Sequence, residues 1–415
     1  MNYRVWYSTE SFADYIINFT QLKYKVGLVK KKMYESDANN AKNFHTMPDH
    51  IKQILYLDAP DLIVEIDSEP IFSVEVSTEA GTGHNVFQRF ARLAASVENN
   101  VPSFYIYPEA AIIHRKVSGG NKDSKWDTIN PLIFQALDEV MTTYEIPALF
   151  YYFPSNYRTH PIASSAPNIA DKGLKYEPNI NYAGSPDSTD NEMCQMFSVM
   201  DRIINDCSTG NHIKAKEGLL ARRQIRARRT YMQSEYTSKG GNLTMSPLSA
   251  TEKIPTAYLL NFLSKHENSS YKIGELLRSR AETIVYKVDA AFRGDPYPGA
   301  LAAIDYLICR EGKSFEEREF NLVLAWGDLT VDNVNQTITL TSSKSGINDF
   351  IGAVMASETK NLLTKSYSDL QNNQIPRYYM QVRYGSAFSK VKHVRVFSYF
   401  ADAILFEDGS LWRDA

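Results

Sequence analysis

The sequence predicts an α/β protein: a mixed central sheet flanked by helices, followed by a second mixed α/β domain. Three observations lead there. Two alternating apolar–polar runs face each other across a turn between 61 and 77. A helix-period segment and an apolar strand follow directly behind them, the order of a β–α–β crossover. A stretch from 154 to 192, rich in Pro, Ser, Asn and Asp, then divides the chain, as long loops or linkers do.

Taken in order, residues 8–25 predict a first helix, with Ser8 or Thr9 as cap and Phe12, Tyr15, Ile16 and Phe19 on one face. A second, short helix is expected at 50–55, just after Pro48. Asp61 to Ile66 alternates and reads as a strand; Asp67-Ser68-Glu69-Pro70 reads as a turn, and Ile71 to Ser77 as the returning strand of a hairpin. Gly81-Thr82-Gly83 breaks the pattern. A helix over 84–97, a strand over 101–107, a polar loop at 116–128, a helix at 130–144 and a strand at 148–153 complete the expected first domain, residues 1–153. Beyond the linker, residues 193–415 are expected to hold helices near 192–207, 212–231, 254–266, 272–291, 297–310 and 358–371. Strands are expected near 319–326, 336–341, 377–384 and 392–406. This half is the candidate for DNA recognition or dimerisation.

Lys and Arg total 45 against 48 Asp and Glu, a net charge of −3, which excludes a globally basic nucleic-acid coat but leaves room for local basic patches. With 43% hydrophobic and 22% charged residues, the chain has the composition of a folded protein. No apolar run approaches the roughly 20 residues that span a bilayer, and the opening Met1-Asn2-Tyr3-Arg4-Val5 has no signal-peptide core. Cys194, Cys207 and Cys309 are too few and too far apart for a disulfide framework or a zinc site. The expectation is a cytoplasmic protein with no membrane partner.

The hairpin carries the chemistry. Alternation places Asp61, Ile63, Glu65 and Asp67 on one side of their strand, and Glu75 and Ser77 on one side of the return strand. Carboxylates on neighbouring strands suit a hard cation such as Mg²⁺, which takes one or two carboxylates plus waters and substrate phosphates. The other reading is a solvated hairpin face. The apolar Val64, Ile66, Phe72, Val74 and Val76 around the acids weigh against it, because two acids inside a sheet repel unless a cation lies between them. Glu65 and Glu79 are weaker candidate ligands.

Pro60-Asp61, thirteen intervening residues, and Glu75-Val76-Ser77, backed by a helix and a strand, resemble the PD-(D/E)XK nuclease superfamily, which includes many type II restriction endonucleases. The resemblance covers residues 50–153. It implies a restriction-endonuclease-like sheet, metal held by Asp61 and Glu75, and in-line attack on phosphorus leaving a 3′-hydroxyl and a 5′-phosphate. The family's lysine falls on Ser77, which carries no positive charge, so Gln88 or Arg89 is the candidate to take its place. The Gly81-Thr82-Gly83 turn either cradles a phosphate or is only a flexible connection. His84, Gln88 and Arg92 share one face of the expected helix, near the scissile phosphate or facing solvent.

A second charged feature is 212–229, with Lys214, Lys216, Arg222, Arg223, Arg226, Arg228 and Arg229 against the single acid Glu217. Arg222, Arg226 and Arg229 fall on one helical face. This is either a DNA contact or a solvated helix balanced by acids elsewhere. Lys30-Lys31-Lys32 is a smaller basic run, and the charges at 310–319 read as surface ion pairs. The expected activity is that of a Mg²⁺-dependent, site-specific endonuclease acting on double-stranded DNA as a homodimer. Asp61, Glu75, Ser77 and Gln88 form the catalytic set; Arg89, Arg92, Lys214, Arg222, Arg223, Arg226 and Arg229 contact DNA. The alternatives are a nuclease for modified or damaged DNA and a catalytically inactive DNA-binding module.

Overall fold

The structure, a computed structural model, describes residues 1–35, 41–55, 57–78, 83–116, 122–153, 179–217, 219–238, 250–266, 277, 279–288, 296–341, 396–397, 399–407, 409 and 411–412. The chain divides into two compact units: Met1–Tyr34, Met47–Leu55 and Ala59–Leu243 in the first, and Glu35–Thr46, Tyr56–Asp58 and Thr244–Ala415 in the second. Both are α/β, each built on a mixed sheet, as expected.

The first unit begins with β1 (Tyr3–Tyr7), α1 (Glu10–Phe19) and β2 (Val29–Lys32). The expected helix over 8–25 is therefore shorter. Thr20 turns to an extended conformation, its hydroxyl bonds Ile16 O at 2.7 Å, and a 3-10 turn over Gln21–Tyr24 follows. After α2 (Ala41–Phe44), which belongs to the second unit, come α3 (Asp49–Ile54), β3 (Leu62–Ile66) and β4 (Glu69–Val76). The β3–β4 turn is tighter than the expected four residues. Only Asp67 and Ser68 form it, with φ of 49° and 70°, the left-handed pair that matches strand twist in a two-residue hairpin. The ladder carries a bulge: Glu65 pairs with Pro70 and Val64 with Phe72, so Ile71 is the extra residue. Ile71 and Phe72 both enter the same apolar core.

Next come α4 (Phe90–Glu98), β5 (Ser103–Pro108), β6 (Ala110–Lys116), β7 (Lys122–Thr128), α5 (Leu132–Tyr144) and β8 (Ala148–Phe153). Two expectations change here. Residues 83–89 form a 3-10 turn rather than the first turns of α4, so His84, Gln88 and Arg92 do not lie on one continuous α-helical face. The polar segment 116–128 is largely a strand, since β7 pairs with β6 as a separate ribbon from Ala110–Thr128 to Lys116–Lys122. The main sheet has the order β2-β1-β3-β4-β5-β8. β3 runs antiparallel to both of its neighbours, β1 and β4, while β4, β5 and β8 run parallel, the crossover through α4 supplying the parallel step.

The unit continues past 153 into α6 (Asn191–Ser208), α7 (His212–Lys216) and α8 (Leu219–Ser238). The reason is apolar. Met193, Met196, Phe197, Met200, Ile203 and Ile204 of α6 join Phe12, Tyr15 and Ile16 of α1 over one face of the sheet, against Leu62, Val64, Val74, Phe104 and Tyr151. At about 25 cal/mol per Å², the sheet loses that burial without α6. The opposite face carries Trp6, Ile63, Glu65, Ser73, Glu75, Tyr105 and Phe150, and α3, α4 and α5 cover it. Ser96 bonds Ser73 at 2.8 Å, and Phe134 packs on Phe150 with ring centroids 5.1 Å apart.

The second unit contains β9 (Thr251–Pro255), α9 (Thr256–Leu263), β10 (Glu282–Val288), α10 (Pro296–Ile304), β11 (Asn321–Trp326), β12 (Asp328–Asp332), β13 (Thr337–Thr341), β14 (Ala403–Leu405) and β15 (Leu411–Trp412). Its sheet order is β15-β14-β11-β10-β9. The helix expected over 272–291 is overturned within 282–288, which is β10: its Thr283, Ile284, Val285 and Val288 suit a pleated strand. The expected elements at 358–371 and 377–384 lie outside the described residues. Arg310 and Arg318 are not surface charges. Both are buried, bonding Asp305 at 2.6 and 2.7 Å, and Arg318 also meets Asp402 at 2.5 Å. Lys313–Glu319 is an exposed pair, as expected.

Candidate active site

The pairing of Leu62 with Val74 brings Asp61 and Glu75 together at one end of the β3–β4 ladder. Asp61 is partly exposed and tightly oriented. Its Oδ2 accepts the Val76 amide at 2.8 Å and its Oδ1 the Ser8 hydroxyl at 3.2 Å. Its backbone is clamped as well, since Asp61 N–H donates to Val74 O at 3.0 Å and Ser8 N–H donates to Asp61 O at 2.9 Å. Ser8, a candidate helix cap in the sequence, is used here instead, and the cap residue of α1 is Thr9 without a side-chain bond.

Glu75 is buried, 2% exposed. Arg92 Nη1 donates to both its oxygens, at 2.8 and 2.9 Å, and Arg89 Nε lies 3.4 Å from Oε1. Burial pushes the Glu75 carboxyl up to about 8; Arg92 opposes this, the Asp61 charge adds to it, and Arg89 opposes it. Burial, which penalises the ionised form, thus outweighs the two guanidiniums beside the carboxyl. Tyr105, opposite Glu75 on β5, donates its hydroxyl to Val86 O at 3.0 Å and ties the 3-10 turn to the sheet. Ser77 donates its amide to Ile106 O at 2.9 Å and is partly buried, as is Gln88.

Asp61 and Glu75 offer only hard oxygen donors. A carboxylate has about four lone-pair positions, and the bonds named above leave some free on each. That donor set fits a divalent cation held by two carboxylates and completed by water and phosphate. Among the described residues no three His, Cys, Asp or Glu side chains gather as a metal-holding group. Glu79 lies outside the described residues, as do Gly81 and Thr82. Glu65 is not a third ligand: it is buried under Arg4 at 2.5 Å, Trp6 Nε1 at 2.9 Å and His50 Nε2 at 3.0 Å. The strand alternation already placed it on the Asp61 side; its three donors come from distant sequence and carried no local signal.

The expected DNA-contact residues separate into groups. Arg92 is 7% exposed and turned into the sheet toward Glu75 rather than toward solvent. Arg89, 25% exposed at its side chain, reaches both Glu75 and the surface. Lys214 on α7 is exposed, 3.5 Å from Asp206. Arg226 on α8 is exposed and 3.1 Å from Asp138 of α5, and Arg229 is partly exposed. Arg222 and Arg223 lie on α8 with side chains outside the described residues. Arg228, in the same basic segment, does something else. It bonds Glu192 and Phe150 O and stacks over the rings of Tyr151 and Tyr152 at 5.0 and 5.3 Å, fastening α8 to β8 and α6.

No helix among the described residues is long and apolar enough to cross a membrane. Comparison with protein-family models, with curated proteins and with solved structures gave no match.

Proposed function

We propose that this chain is a Mg²⁺-dependent endonuclease of the PD-(D/E)XK kind that cuts double-stranded DNA at a specific sequence, as a homodimer in the cytoplasm. The observation that carries this reading is the Asp61–Glu75 pair. Two carboxylates stand side by side on adjacent antiparallel chain segments, at one end of a sheet whose next strand returns through a crossover carrying Arg89 in its 3-10 turn and Arg92 in its helix. Mg²⁺, when bound, supplies Lewis acidity for attack on phosphorus and for departure of the leaving oxygen. Asp61 and Glu75 hold it. Ser8 and the Val76 amide fix the Asp61 carboxylate, and Arg92 fixes the rotamer of Glu75. Arg89 lies at the partly open side of Glu75, where it brings to a bound phosphate the charge that a lysine at position 77 would have carried. Gln88 and Ser77 add neutral hydrogen-bonding groups beside it, and Lys214, Arg226 and Arg229 meet DNA phosphates farther out.

A second reading rests on specific observations. Ser77 replaces a lysine, and Arg92 occupies both oxygens of Glu75, which favours a DNA-binding module without catalysis. One experiment separates the two. Purified protein is incubated with unmodified and methylated phage DNA, with Mg²⁺ or with EDTA, beside the variants Asp61→Ala and Glu75→Gln. Cutting that requires Mg²⁺ and is lost in both variants is the expected result. Duplex binding with no cutting on any substrate selects the silent module, and cutting retained in either variant removes that residue from the site.

A further inference from the structure

The main sheet ends on β2, an edge strand of sequence Val29-Lys30-Lys31-Lys32 with all four residues exposed. β2 runs parallel to β1, with Lys31 beside Trp6 and Lys32 beside Tyr7. β1 in turn sets Trp6 against Ile63 and Tyr7 against Leu62. Lys31 and Lys32 are thereby carried to the end of the sheet where Asp61 lies. Alternation puts Lys31 on the face of Trp6 and Ile63, which is also the face of Glu75. Lys30 points to the other face, where its ammonium bonds Glu10 and Asp14 at 2.7 and 2.8 Å. Among the described residues the ion pairs of β2 belong to Lys30 alone. Lys32, at the strand end, shares the face of Lys30, its Nζ 5.9 Å from the Tyr34 ring centre.

Two strand spacings, about 10 Å, separate β2 from β3. That is less than the roughly 12 Å width of the DNA major groove. A duplex carries a charge every ~1.7 Å of its axis, so one seated over Asp61 and Glu75 presents further phosphates within that distance. We propose that β2 is a rail for the phosphate backbone of double-stranded DNA, with Lys31 neutralising one phosphate beside the bond held at the acid pair. This rests on the DNA reading of that site. Lysines on an exposed edge strand also discourage pairing with other sheets, a role that involves no DNA.

The test is the salt dependence of duplex binding by the full chain, measured by anisotropy of a labelled duplex in EDTA so that cutting plays no part. Lys31→Ala is expected to reduce the slope of log affinity against log salt by about 0.9, the value of one phosphate contact. Lys31→Arg is expected to keep the parental slope. Lys30→Ala, whose cation is already matched, is expected to keep it too. An unchanged slope in Lys31→Ala overturns the rail while leaving the DNA reading intact; increased aggregation with that unchanged slope assigns Lys31 to edge protection. A parent that binds no duplex overturns the DNA reading and the rail together.

Discussion

Glu75→Gln isolates the energetic cost of the acid at the centre of the site. The substitution keeps the side-chain shape and removes the titrating proton. Native Glu75 is raised from an ordinary 4.5 to about 8. At about 1.4 kcal/mol per tenfold change in proton affinity, that corresponds to roughly 5 kcal/mol. The sign follows from linkage. A carboxyl raised in the folded state contributes its full stabilisation below 4.5, where it is protonated in both states. That contribution is lost as pH rises toward 8, because the unfolded chain ionises first. The parent is therefore expected to lose stability relative to Glu75→Gln between pH 4.5 and pH 8, by up to about 5 kcal/mol, with the difference levelling off above pH 8. Denaturant unfolding followed by circular dichroism, at matched pH values for both proteins, measures this, since other titrating groups cancel in the difference. Mg²⁺ favours the ionised carboxylate and is expected to shrink the difference at pH 8, with proton release on binding. Parallel stability profiles for the two proteins across this range would refute the reasoning about Glu75.

Arg228→Met leaves Glu192 buried without its partner, in a place where burial already raises its carboxyl; a loss of about 3–5 kcal/mol is expected in the same unfolding assay. Arg226→Ala takes the exposed guanidinium away from buried Asp138 and is expected to cost about 1–3 kcal/mol in the same assay. Ser68→Gly relieves a left-handed residue at φ 70° and is expected to raise stability by about 1 kcal/mol, visible as a higher melting temperature.

The β3–β4 hairpin and its acid pair were legible because alternation is a local signal. Leu62, Val64 and Val74 had to share a core face, which left Asp61 and Glu75 on the other. β1 and β2 were not. Tyr3–Tyr7 is only five residues, and the four of β2 are exposed on both faces, so neither shows a one-sided pattern. β7 was hidden for a similar reason, because Lys122–Thr128 pairs only in a polar two-stranded ribbon. Arg92 illustrates a different limit. A helical arginine ordinarily reads as exposed, and only the crossover that lays α4 over β4 shows that its partner is Glu75. Arg310 and Arg318 show the same limit, since Asp305 and Asp402 match them from inside the fold.

The extra residue at Ile71 has a consequence for how such a site drifts over time. A regular ladder closed by the Asp67–Ser68 turn would set Asp61 against Val74 and swing Glu75 into the apolar layer. The bulge restores the acids to a common side with thirteen residues between them. Losing Ile71 would give the same juxtaposition with twelve. The hairpin thus absorbs a single-residue insertion or deletion without moving the acids apart. A search for distant relatives that demands a fixed gap would discard chains that a count along the paired strands would keep.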